Sequence, residues 1–357
     1  MTRIRAGVAL SLVALWMTTP ARGDDALPVA VPPSHPYLGY VGRFTPDHKS
    51  AWNNSTVSVH VKARAVNAVL SGNKVHYVAV VDGGEPVKFR LEGGRKVYRI
   101  ANDLPAGEHT VELVRVNESF FGTVTFRGLQ LSAGGRVVKQ PKRPARRIQV
   151  IGDSISAGYG NECERPADGF SAETENAYET YGPMAARELH ADCVVLAWSG
   201  KGLYRNRGKG DRLKDVMPDY YDRTIAMDAN SRWDHAKYVP DVVVVNLGTN
   251  DCDGGAPPAD GFVAATKRFV ARIRAVAPRA HVFLAGGPML GGDKLKAVRA
   301  NFERAIAEMR DPRVHYLDFA GLMAWPHDCG GHYHPKVQSH RKMAAKLVGE
   351  IRRYLKW

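Results

Sequence analysis

The chain has 357 residues, 44% hydrophobic and 24% charged, an ordinary globular composition that excludes disordered, collagen-like and coiled-coil architectures. Lys and Arg number 50 against 36 Asp and Glu, a net +14, yet no arginine-rich arm or zinc-finger spacing accompanies that charge. Nucleic acid is therefore not an expected partner, and the length predicts two domains, each able to bury its own core.

Residues 1–23 read as an export leader. Arg3 and Arg5 form its positive start, Ala6–Met17 its apolar segment, and Ala21-Arg22-Gly23 a small-x-small cleavage site. The apolar segment is too short to cross a bilayer, so no stable membrane insertion is expected after cleavage. Removing Arg3, Arg5 and Arg22 leaves the chain basic. That charge suits solubility as well as it suits steering of an acidic polymer. Cys163, Cys193, Cys252 and Cys329 remain, an even number that permits two disulfides in an oxidising compartment. No pair has CxxC spacing, so zinc is not expected.

From Asp24 to Ala133 the pattern has period two. Val57, Val59 and Val61 alternate with Ser58, His60 and Lys62. Val75–Val81 and Val87–Leu91 flank the turn Asp82-Gly83-Gly84, and a second turn, Glu92-Gly93-Gly94, leads into Lys96–Ile100. Thr110–Val116 and Gly122–Leu131 follow. Short strands between glycine turns predict a small antiparallel β-sandwich over 24–133. Basic, proline-bearing Gly134–Arg147 reads as a linker.

The remainder, 148–357, follows a different grammar. Ile148–Ile151, Val194–Ala197, Val242–Leu247, His281–Ala285 and Val314–Phe319 are apolar strand runs. Helical spacing occupies Tyr178–Leu189, Phe262–Val276, Lys294–Met309 and Val337–Tyr354. The Val242–Leu247 run lacks polar alternation, as a strand buried on both faces does. The expectation is a doubly wound α/β domain with its site at the C-terminal strand ends.

Four segments at those ends carry chemistry. Gly152-Asp153-Ser154 follows the first strand and places a serine hydroxyl at a sharp turn before a helix. A serine needs a base within hydrogen-bond reach, and taken alone it is as readily a helix cap. Gly200, after the second strand, lets a backbone N–H approach a ligand. Asn250, in Gly248-Thr249-Asn250-Asp251, can offer an amide to a developing oxyanion. His334 precedes Pro335 at the start of the last helix, which fixes its place, whereas His190 and His235 have no such context. His332 and His334 find no third metal ligand at a convincing spacing.

Together these blocks resemble the four blocks of the SGNH, or GDSL-type, hydrolase superfamily. The stretch from Ile151 to Glu162, with the preceding sandwich and its Leu104–Leu113 segment, is similar to carbohydrate esterase family two. The resemblance covers nearly the whole mature chain. It implies a jelly-roll-like sandwich before an SGNH domain, and removal of acetyl groups from plant polysaccharides such as xylan or glucomannan. It implies Ser154 as nucleophile and His334 as base. The Ser154 and Gly200 N–H groups and the Asn250 amide are the implied oxyanion hole, and neither metal nor organic cofactor is implied.

One feature departs from the pattern. The superfamily places an aspartate three, or in some relatives two, residues before the histidine; here Gly331 and His332 stand there. A backbone carbonyl on the imidazole is the first expectation, and Asp328, six residues earlier, the candidate acid behind it. Tyr204, Trp325 and Tyr333 are candidate sugar-stacking platforms. Cys252 and Cys329, both near the catalytic loops, are expected to form a disulfide, with Cys163–Cys193 a weaker pairing. The alternatives to a deacetylase are a lipase or thioesterase on longer acyl chains, or a non-catalytic carbohydrate-binding protein.

Overall fold

The computed structural model describes residues 26–357, so the leader read at 1–23 lies outside them. The N-terminal half is one antiparallel sheet of nine strands. They are β1 (Val29–Val31), β2 (Gly39–Val41), β3 (Lys49–Ser50), β4 (Thr56–Lys62) and β5 (Val66–Val81). They continue with β6 (Val87–Ala101), β7 (His109–Arg115), β8 (Val124–Leu131) and β9 (Arg136–Lys139).

Strand β5 organises the sheet. Its first half pairs with β8 and its second half with β7, while β6 runs along its other edge. The sheet therefore divides into two leaves, with β1 and β3 continuing from β8, and β4, β2 and β9 from β7. The leaves close over one apolar core, to which one contributes Val57, Val59 and Leu113, and the other Phe126 and Leu129. Along β4, Val57, Val59 and Val61 are buried, His60 is half-buried and Lys62 exposed, while Ser58 is covered as well.

Two expectations are corrected. Glu92-Gly93-Gly94 is not a turn, because β6 passes through it. Gly93 and Gly94 adopt φ of 91° and 66°, and the register shifts opposite Asn73, so the glycines form a bulge. The stretch read as linker contains β9, which pairs with β4. An edge strand satisfies its backbone on one side only and needs no apolar alternation, so its basic residues disguised it.

The second half holds β10 (Arg146–Gly152), α1 (Ser154–Ala157), α2 (Tyr181–Glu188), β11 (Ala191–Ala197) and β12 (Val242–Asn246). Then come α3 (Ala259–Val276), β13 (His281–Gly286), α4 (Gly292–Met309), β14 (Val314–Asp318) and α5 (Val337–Leu355). All five strands are parallel, in the order β11-β10-β12-β13-β14. Every residue of β12 is buried. Val243 and Val245 pack with Phe262, Phe269 and Phe302 on one face, and Val242 and Val244 with Met343 and Leu347 on the other. Helices thus cover both faces, which is why the run shows no polar alternation. The strand order reverses between β10 and β12, and such a switch point opens a crevice above the strand ends.

The two halves share a buried seam. Trp52, fully buried, belongs to the core cluster of the α/β half. The buried Arg43 guanidinium donates to the carbonyls of Tyr221 and Arg223 at 2.6 and 2.7 Å and lies over the Tyr221 and Trp233 rings. Asn54 Nδ2 donates to the carbonyl of Cys193. Among the described residues no helix is long and apolar enough to cross a membrane.

Candidate active site

Gly152 ends β10 and Ser154 begins α1, so the hydroxyl emerges at the switch point. A Cβ on Gly152 would stand 2.1 Å from Ser156 Oγ, so only glycine lets the turn close this tightly. Asp153 caps the short helix, its Oδ1 accepting the Ile155 N–H at 3.0 Å. Ser154 Oγ lies 2.8 Å from His334 Nε2.

The other side of the imidazole faces backbone. His334 Nδ1 stands 3.2 Å from each of the carbonyl oxygens of Gly331 and His332. Carbonyls only accept, so Nδ1 carries the proton and Nε2 is free to accept the serine proton. His332 and Tyr333 adopt φ of 47° and 60°, two successive non-glycine residues in the left-handed region. That conformation is costly and rare, and here it belongs to the turn that brings the two carbonyls onto the ring. Burial lowers the His334 imidazole to about 4, against the raising effect of the two carbonyl bonds. The Tyr159 ring lies 4.3 Å from it, and the Tyr159 hydroxyl bonds His332 Nδ1 at 2.8 Å.

Asp328 does not approach this ring. Its carboxylate accepts from the Ala324 N–H, from Gln338 and from Lys342, and Lys342 holds it below the usual carboxylate range. Its backbone carbonyl accepts from Lys336 N–H and Ser339 Oγ, so the residue ties the base loop to α5.

Across the serine, Gly200 adopts φ of 80° and a Cβ there would meet nothing, so backbone conformation and not crowding favours glycine. Among the described residues, the N–H groups of Ser154 and Gly200 find no acceptor. The Asn250 amide is engaged, donating to Asp153 Oδ2 at 3.1 Å and to the Lys201 carbonyl at 2.9 Å. Serving a substrate oxygen requires Asn250 to release one of these or to act through its dipole. Fully buried Asp251 accepts the N–H groups of Leu203, Tyr204 and Arg205 at 2.7–2.9 Å, clamping the loop that follows Gly200. Burial, with the nearby Asp251 charge, raises the Asp153 carboxyl to about 7.

These groups line a cleft of about 620 Å³ that also presents Arg207, Asp253, Lys294, Trp325 and Tyr333. Trp325 and Tyr333 stack on each other at 4.5 Å and 15°, and are 61% and 43% exposed. Tyr204 is elsewhere. Its ring is wedged against Gly261 at the start of α3 and packs on the core, so it offers no face to the cleft.

The expected disulfides are also absent: all four cysteines are free and buried. Cys252 lies at the margin of the cleft with its Sγ 4.0 Å from the Lys294 carbonyl, and Cys329 is drawn under the base loop by backbone pairing with Pro335. Lying at one end of a sheet does not make two thiols face each other. Sequence reading did not single out Tyr159, Asp153 or Asp251. The first two flank the serine in the Gly152–Gly160 block, and Asp251 follows Asn250, so adjacency to the motifs was the available signal.

Residues 150–342 match the GDSL-like lipase/acylhydrolase family, and residues 40–141 match the carbohydrate esterase 2 N-terminal family. The chain is 32% identical over 334 residues to the Cellulase/esterase CelE of Acetivibrio thermocellus. That match takes in 90% of this chain but only 40% of CelE. Identity to an acetylxylan esterase / glucomannan deacetylase of Cellvibrio japonicus is 30% over 280 residues, 78% of this chain and 76% of that one. A family two carbohydrate esterase from Clostridium thermocellum, solved with cellohexaose, matches at TM-score 0.85 and 32% identity. It covers 90% of this chain and 99% of that one.

Fold, site and relatives define the class: this is a carboxylic ester hydrolase of GDSL type. More narrowly, the chain belongs to the GDSL-like lipase/acylhydrolase family and, within it, groups with the family two carbohydrate esterases.

Proposed function

We propose that the protein is exported and removes O-acetyl groups from a plant polysaccharide such as xylan or glucomannan, through an acyl-enzyme on Ser154. The observation that carries this is the 2.8 Å contact of Ser154 Oγ with a His334 ring whose opposite nitrogen is committed to carbonyls. His334 Nε2 accepts the hydroxyl proton as Oγ attacks the acetyl carbon. The carbonyl oxygen gains charge beside the free N–H groups of Ser154 and Gly200 and the Asn250 amide. Each such donor is worth about 3–4 kcal/mol to the transition state. As the tetrahedral intermediate collapses and the bond from the acetyl carbon to the sugar oxygen breaks, the imidazolium passes its proton to that oxygen, which leaves as a hydroxyl. Water, deprotonated in turn by His334, attacks the acetyl-enzyme, and acetate leaves while Ser154 recovers its proton.

The paired faces of Trp325 and Tyr333 suit the apolar face of a pyranose ring beside the serine. Arg207, Asp253 and Lys294 interrupt the apolar lining given by Met289 and Leu290, which favours a short acyl group over a long chain. Relatives named as acetylxylan esterases and glucomannan deacetylases support the acetyl and polysaccharide assignments. Acetate release from acetylated xylan, acetylated glucomannan and 4-nitrophenyl acetate is expected, with the rate falling along the series to the octanoate. A rate that rises with chain length overturns the deacetylase reading in favour of a lipase. N-terminal sequencing of protein recovered outside the cytoplasm should begin near Asp24.

A further inference from the structure

A carboxyl from the N-terminal sandwich reaches the loop that bears Gly200. Glu118 sits just after β7 and is fully buried. Both its carboxyl oxygens meet one residue, Ser199: Oε2 accepts the backbone N–H at 2.5 Å and Oε1 accepts the hydroxyl. No salt bridge joins it among the described residues, and its own backbone N–H donates to Glu175 Oε1 at 2.8 Å. Glu175 is a second fully buried carboxyl whose Oε2 finds no partner. Burial pushes the Glu118 carboxyl up to about 8, and the Asp153 charge adds to this. A buried acid without a cation is a poor device for stability, where an amide or apolar group serves better.

The geometry gives it another use. Ser199 immediately precedes Gly200, so the peptide plane between them carries the Gly200 N–H. Gripping Ser199 at two points fixes its backbone and side chain, and with them the direction of that N–H. The loop is also closed by a β-turn, Lys201 N–H donating to the Trp198 carbonyl, whose central peptide is the plane between Ser199 and Gly200. Such a turn can close with its central peptide in either of two flipped orientations, so the turn leaves to the Ser199 contacts the choice of which way the Gly200 N–H faces.

We infer that Glu118 is a positioning residue for ester hydrolysis: the N-terminal sandwich aims the Gly200 N–H at the acyl oxygen by holding Ser199 in a two-point grip. The sandwich is then part of the oxyanion hole and not only a support for the fold. This rests on the acyl-enzyme reading of Ser154.

The test compares Glu118→Leu, Ser199→Ala and Asn54→Ala in the full chain. Glu118→Leu keeps approximate size and removes both contacts to Ser199. It should lower kcat on 4-nitrophenyl acetate by roughly 10- to 100-fold with KM within about twofold, as expected when a transition-state donor is misaimed by a fraction of an ångström. Ser199→Ala, which removes one of the two points, should lose less, and the double variant should lose no more than Glu118→Leu alone. Asn54→Ala removes an interdomain bond without touching Ser199. It should lower the melting temperature and leave kcat unchanged, which separates aiming from domain docking. The rate of Ser154 labelling by a fluorophosphonate, whose phosphoryl oxygen takes the same hole, should fall with kcat. That readout holds whether or not acetylated glycan is the substrate. Glu118→Leu with kcat and labelling rate within threefold of wild type overturns the inference. Should that variant fail to fold, Ser199→Ala with both rates unchanged overturns it equally.

Discussion

On one side of Ser154 the His334 ring is held by the carbonyls of Gly331 and His332, with no carboxylate in contact. On the other side, buried carboxyls hold the segments that bear the oxyanion donors: Asp153 meets Asn250, Asp251 clamps residues 203–205, and Glu118 meets Ser199. A carboxylate against the imidazole would raise its basicity and stabilise the imidazolium. Carbonyls keep the tautomer and orientation but leave the ring a weaker base, which burial weakens further. On the oxyanion side the acids act as multiple acceptors for N–H groups. Burial pushes Asp153 to about 7 and Glu118 to about 8, which lessens the negative charge facing the developing oxyanion at neutral pH. Carboxyl groups thus shape the loops on one side of the serine, while the base on the other is positioned by backbone alone.

The comparison stands on Ser154 as its common point, and removing that point has the largest effect. Ser154→Ala should fold with an unchanged melting profile and lose about 10⁴-fold or more of kcat, as measured on 4-nitrophenyl acetate. A fluorophosphonate probe should label wild type and not the variant. Residual activity near wild type would remove the serine from the mechanism.

Breaking the carboxyl side comes next. Asp251→Asn replaces an acceptor of three N–H groups with an amide whose N–H₂ opposes them. The loop after Gly200 should loosen, kcat should fall roughly 100-fold, and stability should drop by about 2–3 kcal/mol in urea unfolding. A variant with wild-type kcat would show that the clamp does not serve the hole.

The base side is sharpened by pH, with a smaller effect. The neutral imidazole is the active form, so activity is lost only as pH falls through the His334 value of about 4. Between pH 6.0 and 5.0, kcat/KM should fall by less than about a quarter. An unperturbed imidazole, near 6.5, would lose about eightfold over the same interval. An acid limb above pH 6 would mean that a negative charge supports the ring.

How much of this the sequence disclosed depended on whether a residue's role followed from its place on a strand end. Ser154, Gly200 and Asn250 each follow a parallel strand whose unbroken apolar run marks it, and His334 precedes a helix marked by Pro335. Orientation on loops was not legible. Cys252 and Tyr204 lie in the right segments, but the first directs its thiol to the Lys294 carbonyl and the second wedges its ring against Gly261. Period two identified the strands of the sandwich but not the division of β5 between β7 and β8, because alternation encodes which face is buried and not where a sheet curls. Glu118 was hidden most completely. It lies 81 residues from Ser199, in another domain, and a lone glutamate in a polar turn reads as a solvated charge.

The central claim is that no carboxylate supports His334, and Asp328, the acid nearest to it in the chain, tests it most directly. The measurement is kcat of Asp328→Asn on 4-nitrophenyl acetate, beside a thermal melt to confirm folding. The account predicts a loss of less than about tenfold, worth about 1.4 kcal/mol, because this carboxylate serves Lys342, Gln338 and the Ala324 N–H. A loss of about a thousandfold or more in a folded variant would contradict it, and would make Asp328 the acid of a Ser–His–Asp triad.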